Sequence, residues 1–93
     1  MSKQPTGINE QIWEFPNTHD IKVLGLSHYP LVEVVTEVVR QHAPDFDPST
    51  IRTTPSRTGK YLSVTATVHF TSKEQLEALY LALHAREEVS QTL

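Results

Sequence analysis

The sequence predicts an α+β fold, a four-stranded antiparallel sheet with two helices on one face. Two stretches, "DIKVLGL" from Asp20 to Leu26 and "YLSVTATVHF" from Tyr61 to Phe70, read as strong strands. Each is followed by a segment whose apolar residues recur with the 3.6-residue period of a helix. Weaker extended stretches follow each helix. The order is therefore strand, helix, strand, strand, helix, strand.

The chain opens on a polar stretch, Met1 to Gly7, expected to be a loose terminus. "INEQIWEFP" then sets Ile8, Ile12 and Phe15 at helical spacing before Pro16 stops the run. So short a helix needs to dock on the rest of the molecule, and Trp13 and Phe15 need cover. Residues 1–16 are assigned to this tail and docking segment, residues 17–93 to one folded domain.

Ile21 and Val23 occupy one parity of the first strand and Leu24 and Leu26 the other, as expected for a central strand at least partly covered on both faces. "GLSHYP" makes a loop, and Pro30 suits the first turn of a helix. Along "PLVEVVTEVVRQHA", Leu31, Val34, Val35, Val38 and Val39 form one broad face, and Pro44 ends the helix. "PSTIRTTPS", Pro48 to Ser56, has Ile51 as its only large apolar residue and a proline near each end, which predicts an edge strand. In "SKEQLEALYLALHA", Ser72 and Gln75 stand at capping-box spacing, and Leu76, Leu79, Tyr80 and Leu83 make the buried stripe. Val89 and Leu93 share a parity in the closing "EEVSQTL", so a short last strand is expected.

Right-handed crossovers fold this order into a ferredoxin-like βαββαβ plait with the first and third strands central. The two strongest strands of the sequence are those two. Leu62, Val64, Ala66, Val68 and Phe70 should then face the helices. Tyr61, Ser63, Thr65, Thr67 and His69 should face away, beside Lys22 and Leu24. Threonines suit a water-exposed pleat, while Leu24 and Trp13 argue for cover by the tail or a second subunit.

Composition removes several function classes. A chain of 93 residues holds one domain, burying roughly 65% of its unfolded surface. Hydrophobic content of 38% against 20% charge describes a folded chain. There is no cysteine, hence no disulfide, thiolate site or cysteine nucleophile. No apolar run reaches the ~18 residues of a membrane span, and "MSKQPTGINEQ" lacks a signal peptide's apolar region. A soluble, cytoplasmic protein is expected. The net charge of −3 gives no global attraction to nucleic acid.

The charge is locally uneven. From Pro48 to Lys73 the sequence has Arg52, Arg57, Lys60 and Lys73 and no acid. Arg57 and Lys60 flank Gly59 in the turn "RTGK", and with Tyr61 they are the candidates for an anion or partner contact. The plainer reading is a solvated bend in which Gly59 supplies positive φ and the cations keep an edge strand apart from other chains. An RNA-binding sheet would need two or three central aromatics; here only Tyr61 qualifies, and "TGKYLSVT" matches the usual pattern poorly.

His19, His28, His42, His69 and His84 show no i, i+4, HxH or HxxH spacing, so no metal or other cofactor is expected. His42 and His84 fall at the ends of the two helices, where an imidazole suits the dipole. His28 lies with Gly25 and Ser27 in the first strand–helix loop, where folds of this type often admit ligands, and these are the ligand-binding candidates. No serine or threonine has an evident base. Acylphosphatases of this fold grip phosphate with an arginine in that loop, and "GLSHYP" has none. No enzyme is expected.

Taken together, "WEFP", "IKVLG", "VVRQHAP" and "SRTGKYLSVT" resemble landmarks of the YbeD-like family of small bacterial proteins, a domain of unknown function. The carriers are Phe15 and Pro16; Lys22, Val23 and Gly25; His42 to Pro44; and Ser56, Gly59, Tyr61, Ser63 and Val64. The chain departs from that pattern in a longer polar N-terminus and in Trp13. The resemblance implies a plait similar to ACT domains, which bind amino acids at subunit interfaces, and a link to lipoate metabolism. It implies no catalytic residues, and a ligand region at Gly25–Pro30 against a neighbouring subunit. "GLSHYP" does not reproduce the aspartate and glycine pattern of ACT loops. The expected function is a non-catalytic regulatory or adaptor module that binds a small ligand or partner protein, with a homodimer as one arrangement. The alternative is nucleic-acid or anion binding through Arg57–Lys60.

Overall fold

The computed structural model of the chain describes residues 14–92. The short helix expected around Ile8 and Ile12, and the docking of Trp13, lie outside the described residues, as does Leu93. The element order is β1 (Asn17–Leu26), α1 (Leu31–His42), β2 (Arg52–Pro55), β3 (Tyr61–Phe70), α2 (Lys73–His84) and β4 (Gln91–Thr92). The strands form one sheet in the order β2-β3-β1-β4, every neighbouring pair antiparallel. That is the ferredoxin-like plait, with β1 and β3 at the centre. Among the described residues no helix is long and apolar enough to cross a membrane.

β1 and β3 pair without interruption from Asn17↔Phe70 to Leu26↔Tyr61. With side chains alternating between faces, one register fixes the whole sheet. Ile21 and Val23 of β1 and Val64, Ala66, Val68 and Phe70 of β3 point to the helices and are buried. Leu31, Val34, Val35, Val38 and Val39 of α1 and Leu76, Leu79 and Leu83 of α2 complete the core, while Tyr80 is half-buried. The apolar stripes of both helices thus match the expected ones.

The boundaries differ in instructive ways. Pro30 stands just before α1 rather than inside it; its carbonyl accepts the Val34 N–H at 3.0 Å. The expected strand over Pro48–Ser56 is extended only at Arg52–Pro55, because Pro48–Thr50 winds into a 3-10 turn. Asp47 caps that turn, its carboxylate accepting the Ser49 N–H at 3.0 Å, and Pro48 supplies a φ suited to its first position. The capping box of α2 is half made. Ser72 Oγ accepts the Gln75 N–H at 3.1 Å, but Gln75 Oε1 takes the Thr71 N–H, one residue earlier than the usual partner. Phe15 packs against the core, its ring edge-on to His19 with centroids 6.4 Å apart.

β2 is an edge strand, as its prolines predict. The Ser56 N–H donates to the Tyr61 carbonyl at 2.9 Å, so by alternation Thr54 and Arg52 also turn their backbone groups toward β3. Thr53 and Pro55 face the free edge, and Pro55 has no N–H to offer. A second chain would find one donor along this strand.

Two carboxylates make stability depend on acid. Asp47 is held below its usual range by hydrogen bonds from the Ser49 backbone and side chain. Glu88 is lowered by its own backbone N–H and by the Arg86 guanidinium. A carboxylate whose folded value lies below its unfolded one stabilises fully above the unfolded value and loses that contribution as pH falls through the folded one. Thermal unfolding followed by circular dichroism should therefore give a midpoint that is flat from about pH 7 to 5 and drops below about pH 4. Asp47→Asn should make that drop shallower; an unchanged drop would assign the effect to other groups.

Candidate functional site

The two sets of candidate residues lie side by side. The loop after β1 runs along the turn between β2 and β3: the Ser27 N–H donates to the Lys60 carbonyl at 2.9 Å, and Ser27 Oγ donates to the Gly59 carbonyl at 2.6 Å. The turn is internally tied as well. Ser56 O accepts the Gly59 N–H at 2.9 Å, Ser56 Oγ accepts the Tyr61 N–H at 3.0 Å, and Gly59 takes the positive φ expected of it, 80°. Sequence separation had kept these sets apart; one tertiary seam makes them a single end of the molecule.

Within that end the residues differ in what they present. Gly25 is buried, and a Cβ built on it would meet the Glu88 carbonyl and, at 2.9 Å, both Leu31 methyls. It shapes the loop and offers no surface. Ser27 spends its hydroxyl proton on Gly59. His28 is exposed and lies against the Tyr29 ring at a centroid distance of 4.2 Å. Arg57 and Lys60 are exposed, with the Lys60 ammonium 5.6 Å from the Tyr61 ring centroid, a cation–π approach. Of these residues, the exposed side chains with no hydrogen bond described above are therefore His28, Arg57 and Lys60, with half-buried Tyr61 beside them; Ser27 is exposed too, its hydroxyl turned to Gly59.

The open sheet face has a plan that sequence reading caught only in part. From the registers, Lys22, Thr65 and Arg52 form one row across β1, β3 and β2; Leu24, Ser63 and Thr54 form the next, and Leu26 with Tyr61 the last before the turn. Toward the other end, Asp20 accepts from Arg52 Nη2 at 3.0 Å and from Thr67 Oγ1 at 2.7 Å, and Thr18 shares a hydrogen bond with His69 at 3.1 Å. Arg52 is the member the sequence did not bring to this face. Counting back along the hairpin from the turn would have placed it opposite Thr65. Its nearness to Lys22 depends on the pairing of β1 with β3, which no local signal fixes.

A cleft of about 400 Å³ lies at that far end, lined by Thr18, Asp45, Phe46, Thr67, His69 and Gln75 among others. Much of its polar lining is already engaged: the Gln75 side chain donates to the His42 carbonyl and accepts from Thr71, and His69 is bonded to Thr18. Of the two helix-end histidines, His42 donates through Nδ1 to the Val38 carbonyl at 3.0 Å, while His84 meets Thr92 Oγ1 at 2.9 Å. Among the described residues no three histidine or carboxylate side chains converge on a metal-sized centre.

A family model described as "Protein of unknown function (DUF493)" matches residues 10–93. The chain belongs to that family. Curated relatives of this DUF493 chain include a UPF0250 protein of Bordetella pertussis, 46% identical over 81 residues, which span 87% of this chain and 89% of the relative. A UPF0250 protein of Nitrosomonas europaea is 40% identical over 84 residues, covering 90% and 97% of the two chains. The YbeD-like membership expected from "WEFP" to "SRTGKYLSVT" is thereby established. The solution structure of a protein from H. pylori aligns over 100% of the DUF493 chain and 98% of its own, with a TM-score of 0.68 and 12% identity, a likeness of fold.

Proposed function

We propose that the chain is a non-catalytic regulatory or adaptor module that acts through the joined end of its sheet, where the loop after β1 meets the β2–β3 turn. The observation that carries this reading is the pair of hydrogen bonds from Ser27 to Gly59 and Lys60, which binds the two loops into one surface. Around it stand exposed His28 and, from a stretch of chain without an acid between Pro48 and Lys73, exposed Arg57 and Lys60. Such a surface suits a carboxylate- or phosphate-bearing small molecule, or an acidic group of a partner enzyme, held by charge-assisted hydrogen bonds. The ACT-like plait and the lipoate link that the YbeD-like resemblance implies make amino acids and lipoyl or octanoyl carboxylates the first ligands to try. Gly25 and Ser27 serve this end by position, His28, Arg57, Lys60 and Tyr61 by contact. No group at this end has the arrangement of a nucleophile with its base.

An amide NMR titration of the labelled protein with amino acids, lipoate, octanoate and a short RNA tests the reading. A carboxylate ligand should shift Ser27–Tyr29 and Arg57–Tyr61 together, with one affinity. Replacing Arg57 or Lys60 singly by alanine should weaken that binding about tenfold, the worth of a single charge-assisted contact. Steeply salt-dependent shifts with RNA alone would move the assignment to nucleic-acid binding. Silence of both loops toward every carboxylate would remove the small-ligand reading.

A further inference from the structure

Charge in this molecule is sorted by layer. Among the described residues, the open sheet face and the adjoining turn carry Lys22, Arg52, Arg57 and Lys60 against one carboxylate, Asp20, which already holds Arg52 and Thr67. The helices and the segment after α2 carry the opposite excess, with Glu33, Glu37, Glu74, Glu77, Glu87 and Glu88 outnumbering Arg40, Lys73 and Arg86. The open face is also apolar in one place. Leu24, Leu26 and Tyr61 are half-buried on it, on the side away from the core, between the Lys22–Arg52 row and the turn. Rows on one face of a strand are about 7 Å apart, so the cationic row and the far apolar row span roughly 13 Å, about the width of a helix with its side chains.

We infer that the open sheet face is a docking surface for an acidic amphipathic helix of a partner protein, its apolar stripe on Leu24, Leu26 and Tyr61 and its carboxylates on Lys22 and Arg52. An added strand finds little edge to pair with beside Leu24, Leu26 and Tyr61. Beside this patch β2 turns toward solvent one residue with an N–H and one proline, and β4 is two residues long; the stretches of β1 and β3 that these short edge strands leave unpaired, residues 17–22 and 66–70, lie toward the other end of the sheet. A partner on this face must hold by side chains, as α1 and α2 hold the opposite face. Charge complementarity chooses its sign. RNA fits less well, because Tyr61 is the one aromatic that the described part of this face offers for stacking. This inference shares Tyr61 with the loop-and-turn surface but is read out separately: Lys22, Thr65 and Arg52 report on it, and Ser27–Tyr29 on the other.

The test uses the full-length labelled chain and two synthetic amphipathic peptides of about 20 residues. They share a leucine stripe, and their polar faces are glutamate in one and lysine in the other. The glutamate peptide should shift the amides of Lys22, Leu24, Thr65 and Arg52 and weaken as salt is raised. Lys22→Glu and, separately, Leu24→Asp should each reduce its affinity at least tenfold, with amide dispersion unchanged as evidence that the fold persists. Equal binding of the lysine peptide, no shifts with the glutamate peptide, or the same shifts with oligouridylate would overturn the proposal. Self-association in sedimentation that Leu24→Asp abolishes would put a second copy of the chain on this face and overturn it too.

Discussion

Replacing Phe70 by alanine is expected to destabilise the fold by about 4 kcal/mol, the usual loss when a fully buried phenylalanine is truncated. Phe70 is wholly buried on the helix-facing side of β3, opposite Asn17, with the His19 ring 6.4 Å from its own. It is the last residue of β3, two before the Ser72 cap that starts α2. Its ring therefore fills the corner where sheet turns into helix. A 93-residue chain has roughly 5–14 kcal/mol of stability to lose from. The loss should appear in urea as a lower midpoint with an unchanged slope, and as a fall in melting temperature of about 20 °C. Thr65→Ala, on the other face of the same strand, should cost no more than about 0.5 kcal/mol. Equal effects from the two would mean that the assignment of faces is wrong.

The same contrast marks what could be read from the sequence. Period-two alternation in β3 and the valine-rich stripe of α1 are local and strong, so both predicted their buried faces residue by residue. The weak second strand was harder. Ile51 and two prolines gave the edge, but the competing geometry of Asp47 and Pro48, a capped turn, took its first half. The candidate site was legible as two loops and illegible as one surface. The bonds from Ser27 to Gly59 and Lys60 join residues 32 and 33 positions apart, and nothing in "GLSHYP" or "SRTGKY" announces the other. The row of Lys22, Thr65 and Arg52 was hidden for the same reason: it takes two registers to build, and only the hairpin register is set locally.

Gly25 is the other residue whose replacement should be costly, and for a reason its sequence context did not give. Within "GLSHYP" it reads as a ligand-binding candidate beside Ser27 and His28. In the fold it is the point where β1 passes beneath Leu31 and the chain returning from α2, whose Glu88 carbonyl occupies the space a Cβ would need. The Ser90 N–H donates to the Leu24 carbonyl at 2.8 Å, so that returning segment cannot back away without giving up a bond on which β4 depends. Gly25→Ala is expected to cost about 3 kcal/mol, the upper range for forcing atoms into a filled site. It should also move amide signals of both Ser27–Tyr29 and Glu88–Thr92, because the strain is shared between them. Gly59→Ala is the useful comparison. Gly59 has open space around its Cβ position and a φ of 80°, so its substitution meets backbone strain alone and should cost about 1 kcal/mol. Two glycines bracket the proposed contact surface, one fixed by packing and the other by conformation. The order of their two losses in chemical denaturation separates those causes: a larger loss at Gly59 would mean that the approach of Glu88 to β1 is not what requires glycine at position 25.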